Sequence, residues 1–250
     1  MRYFIELSYN GKNYHGWQIQ PNAISVQEVL TKAFSTILRI DVDIVGAGRT
    51  DTGVHALQLF AHFDVDSILD GEDITRKINA FLPEDIVVKN VFSVEDDAHA
   101  RFSATSRSYE YRIWLGRNPF LIDTTWQLYQ KKLDLNKMNQ AAAILLENTN
   151  FKCFSKSKTD VRTYNCKVMD AKWVKINNEL TFCITADRFL RNMVRAIVGT
   201  LIEVGSGKKS IEDFIEILKS EDRRKAGVSA PPQGLFLSEV NYPKSIINKL

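Results

Sequence analysis

The order of hydrophobic patterns repeats once along this 250-residue chain. Alternation of apolar and polar residues is typical of half-buried strands, whereas apolar residues three and four apart are typical of helices. The first half has a strand pattern at 2–9, a helix that begins at Ser25, strand patterns near 42–46 and 57–65, a helix near 73–81 that Pro83 ends, and a strand at 86–94. Its order is therefore strand, helix, strand, strand, helix, strand.

The second half repeats this order. Its patterns are a strand at Ser108–Leu115, a helix near 135–147, strands near 167–175 and 180–186, a long helix at 188–204, an additional helix near 211–219 and a last strand near 235–241. This is the split-βαβ arrangement, which packs two helices on one face of an antiparallel sheet. We expect an α+β fold of two similar split-βαβ (RRM/ferredoxin-like) halves, 1–105 and 106–250. Together they should form one mixed, largely antiparallel sheet with helices on one face and a central cleft.

Composition limits the class of protein. Hydrophobic residues make up 44% of the chain and charged residues 25%, as in an ordinary globular protein. Apolar runs are shorter than a membrane span, and the first residues enter a strand pattern at once, so we expect neither a membrane helix nor a signal peptide. Cys153, Cys166 and Cys183 lack Cys-x-x-Cys spacing. We interpret them as reduced thiols, predict no metal site and expect a cytoplasmic protein.

A glycine-rich loop, Gly46–Ala56 (GAGRTDTGVHA), follows an apolar strand pattern. Glycine at this density lets the backbone adopt positive φ and approach bulky groups closely. The loop holds Asp51 close to Arg49, and a neighbouring cation favours the ionised form of a carboxylate. Asp51 is therefore a candidate catalytic group. The alternative is a tight turn in which Asp51 bonds nearby backbone, as Asx residues often do.

Two nucleotide-binding motifs are excluded. The loop has two glycines in the spacing of a dinucleotide fingerprint, but Asp51 stands at the third glycine position and a strand pattern follows instead of a helix. Gly205–Ser210 resembles a phosphate loop only faintly. Ile202 occupies its first glycine position, and Lys209 occupies the position of Ser or Thr.

Charge is distributed unevenly. Residues 1–100 carry 8 Lys and Arg against 15 Asp and Glu, whereas 101–250 carry 25 against 15. Cations are dense in 101–117 and 152–167, and aromatic residues occur in the same stretches. Because cations suit phosphates and flat rings suit bases, we expect the cleft to bind RNA and the second half to be its basic side. The alternative is a solvated basic face over an aromatic core. Candidate RNA-binding residues are Lys156, Lys158, Arg162 and Arg191.

The helix expected at 188–204 has Asp187 as its N-cap and ends at Gly205. Arg191 and Arg195 lie one turn apart beside its apolar stripe. Arg195 lies in the most apolar part of this helix. Its side chain either extends along the apolar surface into solvent or pairs with a buried carboxylate, and the pattern leaves both alternatives open.

Five segments together resemble one known family. They are Tyr9-Asn-Gly-x-x-Tyr-x-Gly-Trp-Gln18, Gly46-Ala-Gly-Arg-Thr-Asp-x-Gly-Val-His55, Ala100-Arg-Phe-Ser-Ala104, Met193-Val-Arg-x-Ile-Val-Gly199 and Gly234-Leu-Phe-Leu237. In this order they are similar to the TruA family of tRNA pseudouridine synthases, which modify the anticodon stem-loop.

The resemblance implies an isomerase that converts uridine to pseudouridine in tRNA, needs no cofactor and forms a homodimer. It also implies that Asp51 is the catalytic aspartate and that Arg49 helps to extrude or hold the target nucleotide. Tyr109 matches a tyrosine that contacts the target base, and Arg195 matches a basic residue that pairs with the aspartate.

Two other functions stay open. A non-catalytic RNA-binding protein would explain the basic and aromatic stretches but leaves the Asp51 loop without a purpose. A sugar hydrolase with Asp51 as nucleophile would need a second carboxylate as acid. No such residue lies near Asp51 in the sequence, although a distant one could fold next to it.

Overall fold

The computed structural model of the protein describes residues 1–129, 132–156 and 161–247, which form two compact units. The first unit comprises Met1–Arg107 and the chain from Phe236 onward, and the second comprises Ser108–Leu235. The described residues contain nine strands and six α-helices, with both parallel and antiparallel strand pairs. The α+β class predicted from the sequence is therefore confirmed.

The first unit is built on a sheet with β1 between two longer neighbours. Its first elements are β1 (Arg2–Tyr9), α1 (Val26–Leu38), β2 (Val45–Gly46), β3 (His55–Asp64), α2 (Gly71–Phe81) and β4 (Ile86–Val94). β1 lies between β3 and β4 and is antiparallel to both. β2 pairs with β3 over only two residues, so these two strands form a short hairpin whose loop carries Asp51.

Local sequence explains the ends of the first two helices. The Oγ of Ser25 accepts a hydrogen bond from the N–H of Glu28 (3.3 Å) and caps α1. α2 ends at Phe81 because a proline disfavours the helical conformation of the residue before it. Leu82, which precedes Pro83, is accordingly extended (φ −72°, ψ 150°).

The second unit contains a sheet in which β8 is central. Its elements are β5 (Ser106–Leu115, of which the first two residues belong to the first unit), β6 (Trp126–Leu128), α3 (Leu135–Ile144), β7 (Val168–Ile176), β8 (Glu179–Ala186), α4 (Met193–Gly205) and α5 (Ile211–Ser220). β8 lies between β5 and β7 and is antiparallel to β7. β6 is a three-residue strand that the sequence pattern does not predict, and it runs parallel to β5.

α4 begins later than the sequence predicts. Its N-cap is Asn192, in the left-handed conformation (φ 66°), and not Asp187. The carboxylate of Asp187 instead accepts hydrogen bonds from the N–H groups of Lys167 (2.8 Å) and Arg188 (2.7 Å). A contact with a residue far away in the sequence therefore replaces the predicted cap.

The position of Arg191 changes as a result. Its carbonyl accepts a hydrogen bond from the N–H of Lys156 (3.0 Å) instead of from within a helix. Arg191 therefore precedes α4, whereas Arg195 lies in the first turn of this helix. The prediction that these two arginines share one helix face is wrong.

The last strand, β9 (Leu235–Asn241), lies in the first unit except for its first residue. It is parallel to β3 and pairs with it through His55–Phe236 and Ala56–Leu237. A short helix, α6 (Lys244–Ile247), follows. This division differs from the one expected from the sequence, 1–105 and 106–250, because pairing with β3 joins the end of the chain to its beginning.

Candidate active-site loop

Asp51 lies in the loop between β2 and β3. The N–H of Val54 donates a hydrogen bond to the carbonyl of Asp51 (3.1 Å), and Gly53 has a positive φ of 75°. Asp51 is half-buried, whereas Arg49 is exposed. The loop therefore turns tightly just after the aspartate and presents the guanidinium of Arg49 to solvent.

The last residue of β1 and the segment that follows this strand hold the loop in place. The hydroxyl of Tyr9 forms a hydrogen bond with Oγ1 of Thr50 (2.8 Å). The N–H of Trp17 donates to the carbonyl of Thr50 (3.3 Å), and the N–H of Gly53 donates to the carbonyl of Tyr14 (3.3 Å). The residues on both sides of Asp51 are thus bonded to one neighbouring segment.

Gly16 lets this segment approach the loop closely. Its φ is +87°, and a Cβ atom at this position would lie 2.3 Å from the carbonyl oxygen of Thr50. A Cβ atom at Gly48, within the loop itself, would meet nothing within 4 Å. The packing of the loop therefore requires glycine at position 16 but leaves space for a side chain at position 48.

Asp85 supports the same segment from the other side. Tyr14 is 4% exposed, and its hydroxyl donates a hydrogen bond to Oδ1 of Asp85, while Nδ2 of Asn13 donates to Oδ2 (3.0 Å). Burial and the hydrogen bond to Asp85 raise the pKa of Tyr14, so its hydroxyl stays protonated as the donor. Because Tyr14 also accepts from Gly53, Asp85 is linked to the Asp51 loop.

His55, the histidine of the loop motif, is buried at the start of β3 and is 1% exposed. Its Nδ1 accepts a hydrogen bond from the N–H of Gly11 (3.0 Å). Its ring stacks on that of Phe236, with 4.6 Å between ring centroids. His55 therefore anchors the end of the loop in the core of the first unit.

Arg107 connects the loop to the turn that precedes β5. Its Nη2 donates hydrogen bonds to the carbonyls of Ala47 (3.1 Å) and Arg101 (2.5 Å), and its Nη1 donates to that of Ala104 (3.2 Å). In the sequence Arg107 is one of the cations of the basic stretch 101–117. The structure gives it a positioning role that no local pattern signals, because Ala47 lies 60 residues away.

Tyr109 belongs to the second unit, on β5, and is half-buried. Its ring lies edge-on to that of Phe189, with 5.0 Å between centroids and 86° between planes. Tyr111, on the same face of the strand, is fully buried and donates a hydrogen bond to the carbonyl of Pro231 (2.7 Å). The Tyr109 ring is thus oriented by packing against a neighbouring ring.

Arg195 is bonded twice to Ala230 within the second unit. Its Nε donates to the carbonyl of Ala230 (2.7 Å), and its own carbonyl accepts from the N–H of Ala230 (2.9 Å). The side chain is half-buried. The bond from Nε holds one edge of the guanidinium against the carbonyl of Ala230. The pairing of Arg195 with Asp51 stays a prediction.

The candidate RNA-binding cations are on the surface wherever the structure describes them. Lys156, Arg162 and Arg191 are exposed, and the backbone hydrogen bond between Lys156 and Arg191 brings these two residues together. Lys158 lies outside the described residues. The structure therefore joins two of the four candidates.

The aromatic residues of the basic stretches differ in their burial, and Tyr109, Trp114 and Tyr164 are half-buried. Phe151, Phe154 and Tyr111 are fully buried, so their rings form core contacts. Phe102 is 76% exposed. The alternative of an aromatic core beneath a basic face thus holds for the buried rings, while Phe102 is available for contact with a ligand.

The remaining features of the described chain indicate no second kind of site. Cys153, Cys166 and Cys183 are all free thiols. Burial raises the pKa of Cys166 to about 11, and that of Cys153 to about 12. Within the three described ranges, no group of three or more His, Cys, Asp or Glu residues could hold a metal ion. No helix in these ranges is both long and apolar enough to cross a membrane.

Comparison with known proteins gives a consistent result along the chain. A family model described as tRNA pseudouridine synthase matches residues 7–103 and 141–243. A protein of Bacteroides thetaiotaomicron named tRNA pseudouridine synthase A is 52% identical over 251 residues, covering 99% of this chain and 93% of the relative. Proteins of the same name from Porphyromonas gingivalis and a Thermoanaerobacter species are 49% and 42% identical, covering 98% and 95% of this chain and 98% of each relative.

Proposed function

The chain belongs to the tRNA pseudouridine synthase family, and we propose that it isomerises uridine to pseudouridine in tRNA. The observation that carries this proposal is the match with relatives named tRNA pseudouridine synthase A over nearly the full length of both chains. The firmly held Asp51 loop supports it, because a catalytic carboxylate must be kept in one position relative to its substrate.

The reaction breaks the N1–C1′ bond of uridine, turns the base and forms a C5–C1′ bond, after which C5 loses a proton. Substrate and product are isomers, so the overall reaction has no net oxidation. A carboxylate nucleophile can divide one difficult step into two easier ones. Asp51 is the group we assign to this role. Attack on C1′, attack on the base and abstraction of a ribose proton are the three routes open to it, and each requires the ionised carboxylate.

The target base must leave its stack before it can react, which costs a few kcal/mol. Tyr109 can recover part of this cost, because stacking of a base on an aromatic ring contributes about 1–3 kcal/mol. The exposed guanidinium of Arg49, two residues from Asp51, suits contact with the extruded nucleotide. We assign Arg195 the role of the basic residue that pairs with Asp51. Tyr109 is also our candidate for receiving the C5 proton.

The finer features rest on the sequence patterns and on the family resemblance. We propose that the anticodon arm is the substrate region, that the protein acts as a cytoplasmic homodimer, and that its two split-βαβ halves provide the RNA-binding cleft. The exposed Lys156, Arg162 and Arg191 suit contact with tRNA phosphates, and Lys158 is proposed with them from the sequence alone.

Incubation with unmodified tRNA that carries tritium at C5 of uridine tests the activity. Pseudouridine formation releases this tritium to water, so we expect release that depends on time and on enzyme concentration. Binding of tRNA without release would favour the non-catalytic RNA-binding protein. Cleavage of a sugar substrate without release would favour the hydrolase. Either of these results would contradict the proposed function.

A further inference from the structure

The turn that precedes β5 exposes an aromatic ring together with a cation. Phe102 is 76% exposed, and the guanidinium carbon of the exposed Arg101 lies 5.6 Å from the centroid of its ring. Both residues belong to the Ala100–Ala104 segment of the first unit. A flat ring beside a guanidinium offers a stacking surface and a phosphate contact side by side.

His99 holds this turn in a fixed shape. Its Nδ1 accepts hydrogen bonds from the N–H groups of Arg101 (3.1 Å) and Phe102 (3.3 Å). Its ring lies 4.4 Å from the Phe102 ring. Ser103 closes the turn, since its Oγ accepts from the N–H of His99 (3.0 Å) and its N–H donates to the carbonyl of His99 (2.9 Å). Phe102 is therefore presented on a rigid turn, which lowers the entropy cost of binding.

The turn is also attached to the Asp51 loop. One nitrogen atom of Arg107, Nη2, donates to the carbonyl of Arg101 and to that of Ala47. Ala47 is the second residue of the Gly46–Ala56 loop that carries Asp51. The exposed ring and the candidate catalytic loop thus share one hydrogen-bonding group, and a ligand on Phe102 would lie close to the base of the loop.

We propose that Phe102 is a stacking platform for an unpaired base of tRNA close to the target nucleotide, with Arg101 contacting the adjacent phosphate. This inference rests on the proposed function and adds a binding site to it. Charge favours RNA as the occupant, because Arg101 and Arg49 are both exposed on the joined turn and loop.

The test measures the affinity of the full chain for unmodified tRNA at several salt concentrations. We expect Phe102→Ala to weaken binding about tenfold, the effect of losing one stacked base, without changing the slope of log affinity against log salt. Phe102→Trp should restore binding, because it keeps an aromatic face. Arg101→Gln should reduce the slope by about one phosphate contact. The matched control is Ile68→Ala, which removes another exposed apolar side chain (82% exposed) of the same unit and should leave affinity unchanged.

Three results would overturn the inference. The first is an affinity of Phe102→Ala for tRNA within about twofold of that of the unsubstituted protein, and the second is a failure of Phe102→Trp to restore binding. The third is a change in the sedimentation of Phe102→Ala without a change in its tRNA affinity, which would indicate that Phe102 contacts another protein chain. Tritium release by the unsubstituted protein separates this failure from that of the proposed function. If the unsubstituted protein releases tritium and Phe102→Ala binds tRNA normally, only the stacking platform is refuted. If the unsubstituted protein releases no tritium, the proposed activity itself is refuted.

Discussion

The hydroxyl of Tyr14 donates a 2.5 Å hydrogen bond to the carboxylate of Asp85, a residue 71 positions later in the chain. The carbonyl of Tyr14 accepts a hydrogen bond from Gly53, two residues after Asp51. The support of the candidate catalytic loop therefore continues through Tyr14 to the start of β4. Removing the hydroxyl of Tyr14 should therefore reduce the support of the Asp51 loop without removing any group that contacts substrate.

Tyr14→Phe should lower the free energy of unfolding by about 1.5–3 kcal/mol, because a hydrogen bond to a charged acceptor is lost in a buried place. Urea denaturation measures this change. Tyr129→Phe is the matched control, since Tyr129 is 52% exposed and its hydroxyl lies 3.4 Å from Oε1 of Gln127. We expect the control to change stability by less than about 0.5 kcal/mol. If the two substitutions lower the free energy of unfolding equally, the hydrogen bond to Asp85 stabilises the protein no more than an exposed hydroxyl does.

The two glycines near Asp51 should respond differently to a methyl group. Gly16→Ala should destabilise the protein by about 2 kcal/mol or more, because it adds strain at positive φ and a clash with the carbonyl of Thr50. Gly48→Ala has open space and should leave stability unchanged or slightly raised. Thermal unfolding of both variants tests this. A stable Gly16→Ala variant would contradict the close approach between the segment after β1 and the loop.

His62 should make the first unit sensitive to acid. It is 4% exposed and accepts a hydrogen bond from the N–H of Ala100 (3.2 Å). Burial, together with the nearby Arg2 guanidinium, lowers the pKa of His62 to about 4. Its usual pKa of about 6.5 applies to the unfolded chain, which therefore binds the proton first. The stabilisation is fully present above about pH 6.5 and is lost as the pH falls towards 4.

His62→Gln tests this sign, because glutamine does not titrate. The stability that the unsubstituted protein loses between pH 7 and pH 5 should exceed the loss in the variant by about 2 kcal/mol. Urea denaturation of both proteins at both pH values gives this difference, and carboxylates that titrate in either protein cancel from it. The same loss in both proteins would mean that His62 does not contribute.

Lys156 should contribute to tRNA affinity through a phosphate. Lys156→Ala should weaken binding at low salt and reduce the slope of log affinity against log salt by about one. Lys137→Ala is the control: this lysine, on α3, is also exposed, and its Nζ lies 4.0 Å from Asp134. An equal change of slope in both variants would show that tRNA affinity depends only on the total charge of the protein and not on a contact with Lys156.

Those elements whose signals are local could be predicted from the sequence. The strand at Arg2–Tyr9 follows from alternation, and the ends of α1 and α2 follow from Ser25 and Pro83. The start of α4 could not be predicted, because Asp187 bonds Lys167, which lies 20 residues earlier. The pairing of β9 with β3 could not be predicted either, because parallel pairing joins strands that lie far apart in the chain.

The candidate site divides in the same way. The glycine-rich loop and its resemblance to a family point to Asp51 directly. The groups that hold the loop give no local signal, because Arg107 reaches Ala47 across 60 residues and Tyr14 reaches Asp85 across 71. In the sequence Arg107 is only one cation of the basic stretch 101–117. In the structure its guanidinium donates hydrogen bonds to backbone carbonyls that only the fold brings together.

The most direct test of the proposed function is Asp51→Asn, measured both for tRNA binding and for tritium release. The substitution is nearly isosteric, so the affinity for tRNA should stay within about tenfold, or about 1.4 kcal/mol. The amide is a far poorer nucleophile and base than the carboxylate, so pseudouridine formation should fall below detection. A variant that binds tRNA normally and still releases tritium would contradict the assignment of Asp51 as the catalytic group.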